Sequence, residues 1–173
     1  MPEWVLSNDG LRRAQGLLAL PWVQQVTHVF SSAERKAVQT AELLAAACGG
    51  LRLVVDEALG ENDRSATGFL PPAEFEAVAD LFFREPTQRV RGWESAQAAQ
   101  QRVVTAVDRC LLRATTGDVA VVAHGAVGTL LWCHLADEPI DRRHDQPGQG
   151  SWYSVDLVTM RPLSSWKRLQ VLR

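Results

Sequence analysis

One short stretch constrains the fold of this chain more than any other: Val121-Val122-Ala123-His124-Gly125-Ala126-Val127. An apolar run stops at a His-Gly pair, and a new apolar segment begins at once. This pattern predicts a buried parallel strand that leads directly into a helix, with His124 at the carboxyl end of the strand. Ligands of open α/β sheets bind at that edge. A histidine there can share a proton with a phosphoryl oxygen, and the helix start offers N–H groups to an anion. The alternative is that His124 only closes the turn.

Helical and strand patterns alternate along the chain. Hydroxyl caps are expected at Ser7 and at Ser31-Ser32, and Gly49-Gly50 ends the second helix. The last two strands alternate in a way that favours antiparallel pairing at a sheet edge. The order predicts one α/β domain over residues 1–173, a three-layer α/β/α sandwich with a mostly parallel sheet. The predicted helices span residues 7–18, 33–47, 72–84, 95–114 and 127–135, and the strands 26–30, 51–55, 118–123, 152–158 and 166–172.

Composition excludes several classes of protein. The chain has 173 residues, of which 46% are apolar and 22% charged, as expected for one domain with a full core. A net charge of −2 gives no basic excess for nucleic acid or a membrane surface. No apolar run approaches the ~18 residues that cross a bilayer, and Met1-Pro2-Glu3-Trp4 does not begin a signal peptide. We expect a soluble, cytoplasmic protein with neither a metal nor a cofactor.

A second junction between a strand and a helix carries polar and basic residues: Ser31-Ser32-Ala33-Glu34-Arg35-Lys36-Ala37-Val38-Gln39-Thr40-Ala41. A cation one turn into such a helix can reach a phosphate bound at the sheet edge. The alternative is that Arg35 and Lys36 only solvate the helix surface.

The loop Glu61-Asn62-Asp63-Arg64 is the third polar feature, and it lies between a strand and a helix that begins at Pro71-Pro72. Carboxylates and an arginine held in such a loop can supply a general acid. Surface turns often have the same composition, so the loop alone decides nothing.

Together these stretches resemble the histidine phosphatase superfamily, which has the phosphoglycerate-mutase-like fold. Members carry a Ser-Ser-x-x-x-Arg-Ala-x-Gln-Thr-Ala signature, and residues 31–41 match it at every fixed position but one. The strand that ends in His-Gly is matched by residues 119–125, and residues 4–14 are similar to the family's first helix entry. The resemblance covers nearly the whole chain in the right order.

The resemblance implies hydrolysis of a phosphomonoester in a small phosphorylated substrate, or binding of inorganic phosphate. In that family a histidine of an Arg-His-Gly strand takes the phosphoryl group, cations hold its oxygens, and a carboxyl group protonates the leaving alkoxide. Carried over, His124 binds and polarises the phosphoryl group, and Glu61 is the general acid ahead of Glu94 and Asp63. The substrate-binding residues are then Ser31, Lys36, Arg64, Gly125 and Arg143.

Two departures from the family pattern stand out. Lysine replaces the signature arginine at Lys36, so Arg64 or Arg143 is a candidate to supply the guanidinium. The Arg-His-Gly strand is missing, and His28, His134 and His144 are poor substitutes. We expect that the sequence is truncated at its start. Alternatively, the strands of Val119 and Trp152 pair across the gap, or a partner chain covers it and the protein is a homo-oligomer.

A second class of function therefore remains open. A chain that keeps the phosphate-binding residues but has no nucleophile would be a non-catalytic pseudophosphatase, which binds a phosphate or another anion or acts as an interaction protein. A metal site is less well founded, because His124, His134, His144 and Asp145 do not show a known ligand spacing.

Overall fold

Three parallel strands form the central sheet of the computed structural model, which describes residues 3–170. They are β1 (Val26–Ser31), β2 (Leu53–Val55) and β3 (Asp118–Val122), in the order β2-β1-β3. In the register, Phe30 of β1 faces Val54 on one side and Val121 on the other. β-branched residues make up half or more of each strand, as is typical of parallel sheets.

Five helices occur in the described residues, and each lies where the sequence predicts one. The hydroxyl of Ser7 accepts a hydrogen bond from the Gly10 amide at 3.1 Å, and that of Ser95 accepts one from the Ala98 amide at 3.3 Å. Gly49 ends the second helix with φ +84°, a conformation that glycine adopts without strain. The helices are α1 (Asn8–Leu17), α2 (Arg35–Ala47), α3 (Pro72–Arg84), α4 (Ala96–Arg113) and α5 (Gly125–Ala136).

The cap predicted at Ser31-Ser32 is wrong. Helix α2 begins at Arg35, and its cap residue Glu34 makes no side-chain cap hydrogen bond. Both serine hydroxyls are buried and find partners elsewhere, Ser31 on the carbonyl of Ser32 and Ser32 on His124. The longer connection carries the chain from the sheet edge past His124 before the helix starts.

Hydrophobic clusters cover both faces of the sheet. On one face, Phe30 packs with residues of α3, α4 and α5, among them Phe82 and Leu130. On the other, Val29 packs with Leu17 of α1 and Leu44 of α2. Successive strand residues point to opposite faces, so neighbouring positions of β1 enter different cores. The three-layer α/β prediction is confirmed.

The remaining strands pair antiparallel, as predicted, but in two short ladders of their own and not at an edge of the central sheet, and the predicted strand 152–158 is divided between them. β4 (Ser151–Trp152) pairs with β7 (Lys167–Arg168), and β5 (Val155–Asp156) pairs with β6 (Arg161–Pro162). In the described residues β3 pairs only with β1, so the hypothesis that the strands of Val119 and Trp152 pair directly is wrong. The ring of Trp152 instead packs against Trp22, with centroids 5.3 Å apart. The predicted end of the last strand, at Leu172, lies outside the described residues.

Within residues 3–170, none of the helices combines the length and the apolar character needed to cross a bilayer.

Replacing Phe82 by alanine tests the larger core cluster. Its ring is 1% exposed and packs edge-on against Phe83, so the Phe82→Ala protein should lose about 3–5 kcal/mol of unfolding free energy. The matched control is Phe69→Ala, because that ring is 68% exposed. Urea unfolding followed by circular dichroism measures both. Equal losses in the two variants would contradict the assigned core.

Candidate active site

The site lies where the carboxyl ends of β1 and β3 meet. The Ser32 amide donates to the carbonyl of Val122 at 3.0 Å, which holds the two exits from the sheet side by side. As a result the Ser32 hydroxyl lies 2.7 Å from Nε2 of His124, and both side chains are buried. The predicted position of His124, at the end of a strand and the start of a helix, is confirmed.

His124 is also paired with an acidic side chain. Its Nε2 lies 3.2 Å from Oε1 of Glu34. Burial lowers the pKa of His124 below its ordinary value; Glu61 and Glu34 oppose that shift, and Lys36 and Arg64 reinforce it. The imidazole is therefore neutral at pH 7, and the Ser32 hydroxyl and the imidazole can exchange donor and acceptor roles.

Glu34 connects His124 to the basic residue of the signature. Its Oε2 lies 3.4 Å from Nζ of Lys36, and its Oε1 accepts the Glu61 amide at 3.0 Å. Burial favours the protonated carboxyl. The attraction of His124 in its protonated form, the Glu61 amide and Lys36 together outweigh burial and lower the pKa of Glu34. Lys36 is thus brought to the site through Glu34, whereas Arg35 is exposed.

The carboxylate of Glu61 lies at the amino end of α5. His124 is the residue that directly precedes this helix. The carboxylate accepts the Val127 amide at 3.2 Å and lies 3.5 Å from the Ala126 amide. Free N–H groups and the helix dipole make this end of a helix a place for an anion. The structure therefore brings Glu61, predicted as the general acid, to the end of the helix where an anion is expected.

Arg102, on α4, is a residue of this site that the sequence reasoning missed. Its guanidinium donates to the carbonyls of Ala58, Gly60 and Glu61, at 2.8, 2.9 and 3.3 Å. It also forms a two-pronged ion pair with Glu94, at 2.7 and 2.9 Å. The available signal was a charge three residues after buried Ala99 and four before buried Ala106, on the helix face that enters the core.

The other two acid candidates are bound differently from Glu61. Glu94 is held by Arg102, and it flanks α4 without capping it. Asp63 accepts the amide of Ser65 at 2.9 Å, and that hydrogen bond lowers its pKa. Each of these two carboxyl groups therefore has partners away from the amino end of α5.

The structure places the remaining predicted binding residues at different distances from His124. Gly125 is the first residue of α5, where an added Cβ would come within 2.2 Å of the side-chain amide of Gln146. The guanidinium of Arg64 lies over the rings of Phe75 and Trp93, 5.2 and 5.6 Å from their centres. Its charge still acts on His124, where it helps to lower the pKa of the imidazole.

Arg143 is not brought to His124. It pairs with Glu138 at 3.0 Å and with His144, beyond the carboxyl end of α5. Helix α5 has 12 residues, so its two ends lie about 18 Å apart. No cluster of three or more His, Cys, Asp or Glu side chains in residues 3–170 is arranged to hold a metal ion.

Comparison with known proteins identifies the family. Residues 2–165 match the model of the histidine phosphatase superfamily, branch 1. The chain belongs to this superfamily. Phosphoglycerate mutase-like protein 4 of Arabidopsis thaliana is 29% identical over 129 residues, which are 70% of this chain and 56% of the relative. The chain thus spans little more than half the length of that relative.

Solved structures of similar proteins have the same fold. A mycobacterial glucosyl-3-phosphoglycerate phosphatase is 26% identical, with a TM-score of 0.71 over 96% of this chain and 86% of that one. Its complex with inorganic phosphate gives a TM-score of 0.73 at 24% identity, over 93% and 84% of the two chains. The α-ribazole phosphatase of Shigella flexneri gives 0.67 at 22% identity, over 96% and 83%. The predicted phosphoglycerate-mutase-like fold is confirmed.

The lowered pKa of His124 predicts a pH dependence of stability. In the unfolded chain the imidazole of His124 takes up a proton as the pH falls below 6.5. In the folded protein the same imidazole takes up a proton only at lower pH. The unfolding free energy should therefore fall as the pH drops from 6.5 towards the folded pKa, by at most about 1.4 kcal/mol per pH unit. His124→Gln keeps a polar group and removes the titration.

The measurement is urea unfolding of both proteins between pH 5.5 and 8. The stabilising effect of ionised Glu34, whose pKa is lowered from 4.5, is lost only at more acidic pH. The difference between wild type and variant should be constant above pH 7.5 and change below 6.5. A difference that does not vary with pH would contradict a buried neutral His124.

Proposed function

We propose that this site binds the phosphoryl group of a small phosphorylated compound and hydrolyses its phosphomonoester bond. One observation carries the proposal: His124 and Glu61 lie together at the amino end of α5, and Glu34 links Lys36 to His124, in a chain of the histidine phosphatase superfamily. Related structures are phosphatases, and one holds inorganic phosphate, which supports the choice of ligand.

The roles follow from the chemistry of each group. Phosphoryl transfer depends mainly on positioning and on neutralising charge. Neutral His124 donates to a phosphoryl oxygen in place of its contact with Glu34, and Lys36 offsets the negative charge. A water molecule forms the new bond to phosphorus as the bond to the alkoxide breaks, and Glu61 gives its proton to the alkoxide and regains one from that water. A dianion beside a carboxylate favours the protonated form that this step needs.

A second candidate is binding of the same phosphoryl group without turnover, and the other histidines favour it. His28 contacts Thr27, near the start of β1, at 2.9 Å. His134 lies exposed in the last turn of α5, and the ring of His144 stacks on Trp132 at 4.7 Å. Within residues 3–170, none of these three lies beside His124 as a nucleophile would.

Binding of inorganic phosphate, measured by calorimetry, tests the role of Lys36. Lys36→Ala should weaken binding about tenfold, or ~1.4 kcal/mol, the order of one hydrogen bond to a charged group. Arg35→Ala is the matched control, because it removes the same charge from the adjacent, exposed position, about 100° around the helix. Equal weakening by both variants would indicate general attraction and contradict a direct role for Lys36.

Two phosphate esters distinguish hydrolysis from binding without turnover, and they also test the role of Glu61 as general acid. A nitrophenolate leaves without a proton, whereas the alkoxide of glycerol phosphate needs one. Glu61→Gln should therefore slow hydrolysis of glycerol phosphate by about 100-fold or more and that of p-nitrophenyl phosphate far less, while His124→Gln slows both. Saturable phosphate binding with neither ester hydrolysed would select the second candidate. Equal slowing of both esters by Glu61→Gln would contradict the role as general acid.

A further inference from the structure

No helix or long strand holds Glu61 in place. The chain leaves β2, makes one short 3-10 turn at Glu57–Leu59, and then runs irregularly as far as Pro71. Irregular segments move more than the elements they connect. The contact of 3.2 Å between the Glu61 carboxylate and the Val127 amide therefore needs a support from outside the loop.

Arg102 reaches this loop from α4, and every donor of its guanidinium makes a hydrogen bond. A guanidinium carries five N–H groups in a fixed fork, and Arg102 makes five hydrogen bonds to protein oxygens. Three of them go to the backbone carbonyls of residues 58, 60 and 61. The backbone is thus held at two residues that precede Glu61 and at Glu61 itself.

Glu94 holds the backbone on the carboxyl-terminal side of Glu61. While both its oxygens bind Arg102, Oε2 also accepts the amide of Asp63 at 3.2 Å, and the Glu94 amide donates to the carbonyl of Asp63 at 2.9 Å. The Arg102–Glu94 pair therefore holds the backbone both before and after Glu61. The two side chains are 27% and 18% exposed, so water screens the pair only in part.

We propose that Arg102 is a positioning residue that acts through Glu61: together with Glu94 it holds residues 58–63 so that the Glu61 carboxylate stays at the amino end of α5, beside His124. The inference rests on the proposed function for its catalytic meaning, since it deepens the role given there to Glu61. The contacts that carry it do not depend on a substrate.

Position 102 requires the branched guanidinium group of arginine. A lysine keeps the positive charge but presents three donors from a single nitrogen, and one nitrogen cannot reach a carboxylate and three carbonyls together. Arg102→Lys should therefore release the loop while leaving the net charge unchanged. The Glu61 carboxylate then leaves α5, and His124 loses a neighbour that raises its pKa.

The pKa of His124, measured by NMR titration of its ring, is the first readout. Arg102→Lys should lower it, in the same direction as Glu61→Gln, and the double variant should show no further decrease. Arg109→Lys is the matched control on the same helix. Among residues 3–170, the hydrogen bonds of the Arg109 side chain go to the Asp56 carboxylate alone, from one nitrogen, at 3.0 and 3.2 Å. That variant should leave the titration of His124 as it is.

Two results would overturn the inference: an unchanged titration in Arg102→Lys, or a further decrease of equal size when Glu61 is already glutamine. Glu94→Gln, which weakens the pair but keeps Arg102, should give a smaller shift of the same sign and replaces Arg102→Lys if that variant does not fold. The titration needs neither phosphate nor turnover, so its failure is distinct from failure of the proposed function. Where glycerol phosphate is hydrolysed, Arg102→Lys should lower kcat about 100-fold with little change in KM.

Discussion

The parallel pairing of β1 with β3 is the constraint on which the site depends. Because the two strands run in the same direction, both chains leave the sheet at one edge, and the hydrogen bond from the Ser32 amide to Val122 fixes the distance between them. The Ser32 hydroxyl, Glu34 and His124 can meet only because of that pairing. The amino end of α5 lies at the same edge, so the dipole and the side chains act on one point.

Electrostatics then divide the site into two halves. Lys36 and the N–H groups of α5 favour an anion, while Glu34 and Glu61 already supply two negative charges beside a neutral His124. A phosphoryl group entering this site competes with carboxylates for the same donors. Such competition favours the protonated form of a carboxyl group that has a dianion as its neighbour, and a general acid must be in that form.

Local patterns predict much of this molecule. The apolar run before His124 predicts β3, the segment after it predicts α5, and the glycines and prolines mark the ends of α2 and the start of α3. The Ser31-Ser32 cap fails because a buried hydroxyl binds the nearest strong partner, and for Ser32 that is an imidazole 92 positions away in sequence. The role of Arg102 is equally hard to predict from sequence, because its carbonyl partners lie more than 40 positions away. No local pattern holds that information.

The loop of Glu61 shows how a long-range contact can make up for the absence of regular structure. The backbone groups of an irregular segment are free to bind other partners. Here three carbonyls accept hydrogen bonds from one guanidinium instead of from a neighbouring strand. Burying a charge among carbonyls alone is costly, so the partnership needs the carboxylate of Glu94 as well. The same carboxylate accepts the Asp63 amide, which joins the neutralising group to the loop that it stabilises. The backbone of Glu61 is thus fixed by side chains of another element, while its carboxylate contacts the amino end of α5.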